Sequence, residues 1–303
     1  MQPRYRSFFW PAVLILAGVV ALLVNIGALP VERLILLVNL WPLILIVVGL
    51  EIIARRAVQG RASDIAAALV VILAIAGAAA YIAVNPSPTA TGKLDSTAPA
   101  GGLRQASLEI DAGSGTVDVS AGSDLGSQLY RAHLDYPGPR PDVTFDKSTG
   151  ALLISQRSNY PFGITTGHLT VTIQLNSEVR WTITENMGAS KDTLNLPHVP
   201  VAAITLNNGA AEEELTLGPA TGVVPIDVSG GALTVHVHRP SGTEASVTVS
   251  GGAVNLSADG HSQHGIGDLS YQSSGFDGSA NGYRITVNGG ACTVTLDTTA
   301  ASD

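Results

Sequence analysis

Ile226-Asp-Val-Ser-Gly-Gly-Ala-Leu-Thr-Val-His-Val-His238 decides the fold, because the chain repeats it. The phrase returns as Val247-Thr-Val-Ser-Gly-Gly-Ala-Val-Asn-Leu256 and as Ile285-Thr-Val-Asn-Gly-Gly-Ala-Cys-Thr-Val-Thr-Leu296. Looser copies come earlier, as Leu108-Glu-Ile-Asp-Ala-Gly-Ser-Gly-Thr-Val-Asp-Val119, Ile183-Thr-Glu-Asn-Met-Gly-Ala189 and Ile204-Thr-Leu-Asn-Asn-Gly-Ala-Ala211. The alanine after the glycines falls at Ala189, Ala210, Ala232, Ala253 and Ala291, a step of about 21 to 22 residues apart from one long interval. Repetition at such a period signals a stacked architecture. Within the copies apolar residues alternate, as in Val235-His-Val-His238 and Val171-Thr-Ile-Gln-Leu175. That period of two, with Val, Ile and Thr enriched, is the signature of β-strands.

Two architectures satisfy the pattern. Each Gly-Gly can be a two-residue hairpin turn in an antiparallel sandwich, or a corner in a β-solenoid whose copies stack as rungs. Phase favours the solenoid: Ile226, Val247 and Ile285 coincide, as do Val228, Val249 and Val287, and Ala232, Ala253 and Ala291. Like residues would then stack into a narrow Val/Ile/Ala core. The expected fold is a membrane α-helical N-terminal part followed by an all-β domain, a single-chain β-solenoid of about 21–22-residue rungs. The interval from Ala253 to Ala291, which contains the stretch Ala258 to Arg284, is about one repeat too long. It is either a degenerate rung or an excursion on one face, where solenoids place binding loops.

Upstream of the repeats the composition changes. Of the 303 residues, 8–84 are the most densely apolar, and three stretches are long enough to cross a bilayer: 8–29, 34–54 and 65–84. The second starts at Leu34 or at Trp41, with Pro42 a natural first-turn residue. Arg4 and Arg6 precede the first span, and Arg55, Arg56 and Arg61 lie between the second and third. Basic residues stay cytoplasmic, so the N-terminus is expected inside and everything after Val84 outside, in a multi-pass protein of a bacterial cell membrane. The spans carry no mid-membrane charge that would mark an ion path. Residues 85–105, rich in Pro, Gly, Ser and Thr, read as an extracytoplasmic linker, 106–299 as the outer β domain and 300–303 as a tail.

The spans share a phrase: Trp10-Pro-Ala-Val-Leu-Ile-Leu-Ala-Gly18 aligns with Trp41-Pro-Leu-Ile-Leu-Ile-Val-Val-Gly49, with Leu23-Val-Asn-Ile-Gly-Ala-Leu29 between them. This region resembles the transmembrane part of LiaI/LiaF-type bacterial envelope proteins. The outer region, with Ala112-Gly-Ser-Gly-Thr-Val-Asp-Val119 and the later Gly-Gly-Ala copies, is similar to the LiaF C-terminal and toastrack β domains. The resemblance implies a non-catalytic, β-solenoid-like module in an envelope stress response, where LiaF holds a sensor kinase in check. The expected partners are membrane lipid and a sensor kinase or another envelope protein, with homo-oligomers allowed. The alternative is a surface binding or adhesion module, for polysaccharide or metal, displayed on a membrane anchor.

Chemistry is sparse. Net charge is −8, with most acids beyond residue 90, which argues against nucleic acid. A single cysteine, Cys292, excludes an intramolecular disulfide and aligns with Leu233 and Val254, so it reads as a buried thiol. No nucleophile elbow or phosphate loop appears, so no enzyme, catalytic residue or cofactor is expected. No metal site is assigned. The candidates are His236 and His238, which share the outward face of one strand, joined by His261 and His264 from the long interval; a tetrahedral site wants three or four ligands. Glu212-Glu213-Glu214 reads as a solvated, edge-protecting run, the alternative being a calcium role, for which no Asp-x-Asp-Gly loop is present. Trp181, with Tyr160-Pro-Phe162, offers an aromatic contact patch or a core or end-cap residue.

Overall fold

In the computed structural model, which describes residues 91–156, 168–278 and 281–299, the alternating stretches all form strands. The membrane spans, Tyr160 and Phe162 lie outside the described residues. Six long strands carry the repeat: β2 (Gln105–Ala121), β7 (Arg180–Leu196), β8 (Val201–Leu217), β9 (Val223–Pro240), β10 (Glu244–Ala258) and β12 (Gly282–Thr299). They run parallel, in the register that the repeats foretell: Ile204 pairs with Ile226, Ile226 with Ile285 and Ile285 with Val247. Gly-Gly is therefore a corner within a rung, and the hairpin-sandwich alternative falls away.

Each rung has two arms. In β9 the inward residues are Val224, Ile226 and Val228 before the corner, then Leu233, Val235 and Val237 after it. Both arms feed one buried cluster, each fully buried Val, Leu or Ile stabilising by roughly 1.5–3 kcal/mol. A short turn, Pro197 to Pro200 between β7 and β8, then lifts the chain to the next rung, where the Trp181 amide donates to the Pro200 carbonyl at 2.8 Å. Corner glycines are needed for close approach: a Cβ on Gly230 would sit 2.0 Å from the Asn208 carbonyl oxygen of the rung beside it. One expectation is corrected here. Ala232, Ala253 and Ala291 do stack in register, but they lie on the exposed side of the corner, and the core is Val, Ile and Leu. After an inward Val228 the corner takes four residues, so Ala232 has the parity of the outer face.

Both ends of the stack are closed by shorter strands. The first arm of β2 continues through β5 (Ala151–Ser155) and β4 (Asp142–Asp146), and its second arm through β6 (Leu169–Leu175), β3 (Gln128–Pro137) and β1 (Thr91–Pro99). Strand β1 lies inside the stretch expected to be linker. The outer domain thus begins upstream of Ala106, where short alternation in Lys93-Leu-Asp-Ser-Thr-Ala98 was hidden by flanking Pro and Gly.

The other end departs from chain order. Strand β12 lies between β9 and β10 and pairs parallel with both. The extra length before it is β11 (His261–Gln272), which folds back antiparallel on β10 and ends the stack. Asp259 and Gly260 make the two-residue turn, both at positive φ (47° and 82°), as a tight hairpin requires. The interval is therefore an excursion, not a degenerate rung. A buried Arg239 on β9 reaches the hairpin, its Nη2 2.5 Å from Asp259 Oδ2, and the Tyr271 hydroxyl donates to the same oxygen at 2.9 Å.

Candidate functional site

Where β7 and β8 stack, three inward positions that should hold apolar residues hold acids. Glu185 takes the place that Ile110, Leu206 and Val228 take in neighbouring rungs. Asp192 and Glu213 pair with each other in a column whose neighbours are Val117 and Val235. Each of the three is at most 1% exposed, and one ligating oxygen from each lies within 4.8 Å of the others. Among the described residues this is the group of acids and histidines close enough to share an ion.

Few polar groups answer these carboxylates. Asn208, itself buried, donates from Nδ2 to Glu213 Oε1 at 2.6 Å and to Asp192 Oδ2 at 3.2 Å, while its Oδ1 accepts the Met187 amide at 3.2 Å. Both Glu185 oxygens, Asp192 Oδ1 and Glu213 Oε2 are buried and face one another rather than any amide or basic group, with the Ser190 hydroxyl beside Asp192. Burial, and then the neighbouring Asp192 and Glu213, push the Glu185 carboxyl well above the ordinary range. Glu213 is pushed up to about 9 by the same burial and by Asp192, and Asp192 is raised chiefly by burial. Three ionised carboxylates in a dry interior would repel one another strongly. The cluster must be neutralised by protons or by a cation.

The Glu212–Glu214 run is thereby corrected: Glu212 and Glu214 face solvent, and Glu213 points into the core. The signal was present in the alternation, since Glu213 has the parity of Leu215 and Leu217. Asp192 likewise has the parity of Leu194, and Glu185 sits where the repeat has Val228. Their acidic character suggested surface, and stacking overrode it.

The histidines do not converge. His236 and His238 do face outward from β9, but β12 and β10 lie between that strand and β11, which carries His261 and His264. Three strand spacings amount to about 14 Å. His238 Nδ1 contacts Asp297 on β12, and His261 lies against the Tyr271 ring, with centroids 5.7 Å apart. Cys292 is buried in the column of Leu233 and Val254, and burial raises its thiol pKa. Trp181 is fully buried, its Nε1 donating to the Asn176 carbonyl at 3.0 Å, so it is a core residue.

The outer surface is polar. An open groove of 480 Å³ lies against Asp111, Asn186 and Gln156, outside the acid cluster. There Asn186 donates to Asp111 at 2.7 Å and Asn207 donates to Asn186 at 3.0 Å. Ile266 stands out as a large apolar side chain at 85% exposure, on β11 between two glycines.

With this geometry in place, two family models match. Residues 9–89 match the LiaF transmembrane domain, and residues 86–238 match the N-terminal domain of toast_rack, DUF2154. Among solved structures, the chain is similar in fold to a "putative cell adhesion protein" from Clostridium sporogenes ATCC 15579, with a TM-score of 0.58 at 16% identity, covering 69% of this chain and 100% of that one. A "putative adhesin" from Bacteroides fragilis NCTC 9343 aligns at 10% identity over 69% of this chain and 98% of that one, with a TM-score of 0.26. None of the curated proteins matches the chain.

Proposed function

The chain belongs to the toast-rack family, and we propose on that premise that it is a non-enzymatic, membrane-anchored envelope protein that senses or regulates envelope stress through protein–protein contacts, as a LiaF-like regulator. The observation that carries this reading is the tandem match: a LiaF transmembrane domain over 9–89 runs directly into the toast-rack domain that starts at 86. The arginines flanking the first three apolar stretches support a cytoplasmic N-terminus and an extracytoplasmic β domain. A stack of rungs offers long, flat, polar faces, suited to reversible contacts with a partner of the same membrane.

Ile266 is the position at which to look for that partner. It projects from the last strand of the stack, and such isolated exposed apolar residues suit the core of a small interface. A photo-crosslinking residue at 266, in the full chain in its own cells, should capture a sensor kinase or another envelope membrane protein, more strongly under cell-wall stress. Capture of polysaccharide alone would support the surface-adhesion reading instead. Capture of neither at 266, together with no sensor kinase or envelope protein in whole-chain crosslinking, would sink the regulatory one.

A further inference from the structure

We propose that Glu185, Asp192 and Glu213 bind one hard divalent cation of the calcium class inside the stack. Three acids occupy columns filled elsewhere by Val, Ile and Leu, in the same two adjacent rungs and converging on one point. A second observation points to a ligand. Glu185 is fully buried and aimed into the cluster, yet neither of its oxygens accepts a hydrogen bond from any group outside the three acids. Asp192 Oδ1 and Glu213 Oε2 likewise meet no amide or basic group, so the cluster presents a set of acceptor oxygens facing one another.

The donor set names the class of ion. All ligating atoms are carboxylate oxygens, without histidine or thiolate, which selects hard cations over zinc or copper. The layers on either side, Ile110 and Val117 in β2, Val228 and Val235 in β9, are apolar and fully buried. Magnesium holds on to several waters and demands strict octahedral geometry, which a dry pocket does not provide. Calcium accepts six to eight oxygens with bidentate carboxylates, and three carboxylates carry six. Two positive charges against three negative leave one negative charge in the site, and the Asn208 amide, itself neutral, donates to the carboxylates that share it, Asp192 and Glu213. Binding displaces whatever protons the carboxyls hold, and these pass to solvent.

The proposal makes the ion a rivet between β7 and β8, so the test reads both content and stability. The full chain is purified in detergent and its metal content measured, and thermal unfolding is followed in EDTA, in CaCl2 and in MgCl2, at pH 6 and pH 8. The expected result is about one calcium per chain and a Tm raised by about 5 °C in calcium over EDTA, more at pH 8 than at pH 6. The near-isosteric double variant Glu185→Gln/Glu213→Gln should lose both the ion and the shift. Should wild type hold no ion, and should its Tm fall between pH 6 and pH 8 as much in calcium as in EDTA, the carboxyls are held by protons and the proposal is overturned. That comparison stands on wild type alone if the variant does not fold.

Discussion

Burial disfavours the charged forms of Glu213 and Glu185, pushing Glu213 up to about 9 and raising Glu185 well above the ordinary carboxyl range. The sign of the consequence follows from linkage. A carboxyl whose folded pKa is raised contributes fully below its unfolded value near 4.5, and that contribution is lost as pH rises toward the folded value of about 9. Asp192 and the outer Asp118 add to the repulsion, while Ile110, Val117, Val228 and Val235 bring no charge. Thermal melts in EDTA should therefore show stability falling between pH 5 and pH 9, on the order of 1 kcal/mol per pH unit for each retained proton. Glu213→Gln should flatten that slope by about one proton's worth; an unchanged slope would place the titration elsewhere. A second residue-scale prediction concerns Gly230, where a methyl would collide with the backbone oxygen of Asn208 and with Leu233 Cδ2 at 2.7 Å. Gly230→Ala should cost at least about 1–3 kcal/mol in denaturant unfolding. Gly265→Ala, whose nearest neighbour would be 3.7 Å away, should cost far less.

Strands β9 and β10 show how an element can be legible in the sequence while its neighbours in the stack are not. Their alternation and in-phase copies were legible, and both the corners and the parallel register follow from them. What the repeat could not disclose was spatial order, since three equivalent copies stack equally well in any sequence. The order is set by a local signal, Asp259-Gly260, which turns the chain back before another rung can form. Arg239, Asp259 and Tyr271 then join β9 to the β10–β11 hairpin on either side of the inserted strand. Removing the carboxylate would take from the buried guanidinium its ion pair with Asp259. Asp259→Ala should therefore cost about 3 kcal/mol, against about 1 kcal/mol for Tyr271→Phe, as read from denaturant midpoints. Equal effects from the two substitutions would argue against the ion pair as the dominant tie.

For the whole molecule, the stack was legible and its interior chemistry was not. Valine and isoleucine announce a core position by type, whereas Glu185, Asp192 and Glu213 announce solvent by type and core only by parity. The flanks were masked for a related reason: Thr91–Pro99 is a strand whose alternation is too short to stand out from proline and glycine around it. Inward residues of β12, namely Tyr283, Ile285, Val287, Cys292, Val294 and Leu296, are all almost fully buried. At roughly 1.5–3 kcal/mol each their burial is comparable to the net stability of a domain. Truncation after Ser273 should thus abolish cooperative unfolding of the β domain, not merely lower its Tm; a residual sharp transition would show that β9 and β10 can close on each other. A repeat protein assembled in chain order can bank each rung as it is synthesised. Here the place between β9 and β10 is filled only by β12, which follows both β10 and β11 in the chain, so neither neighbour completes its pairing until that later strand has been made.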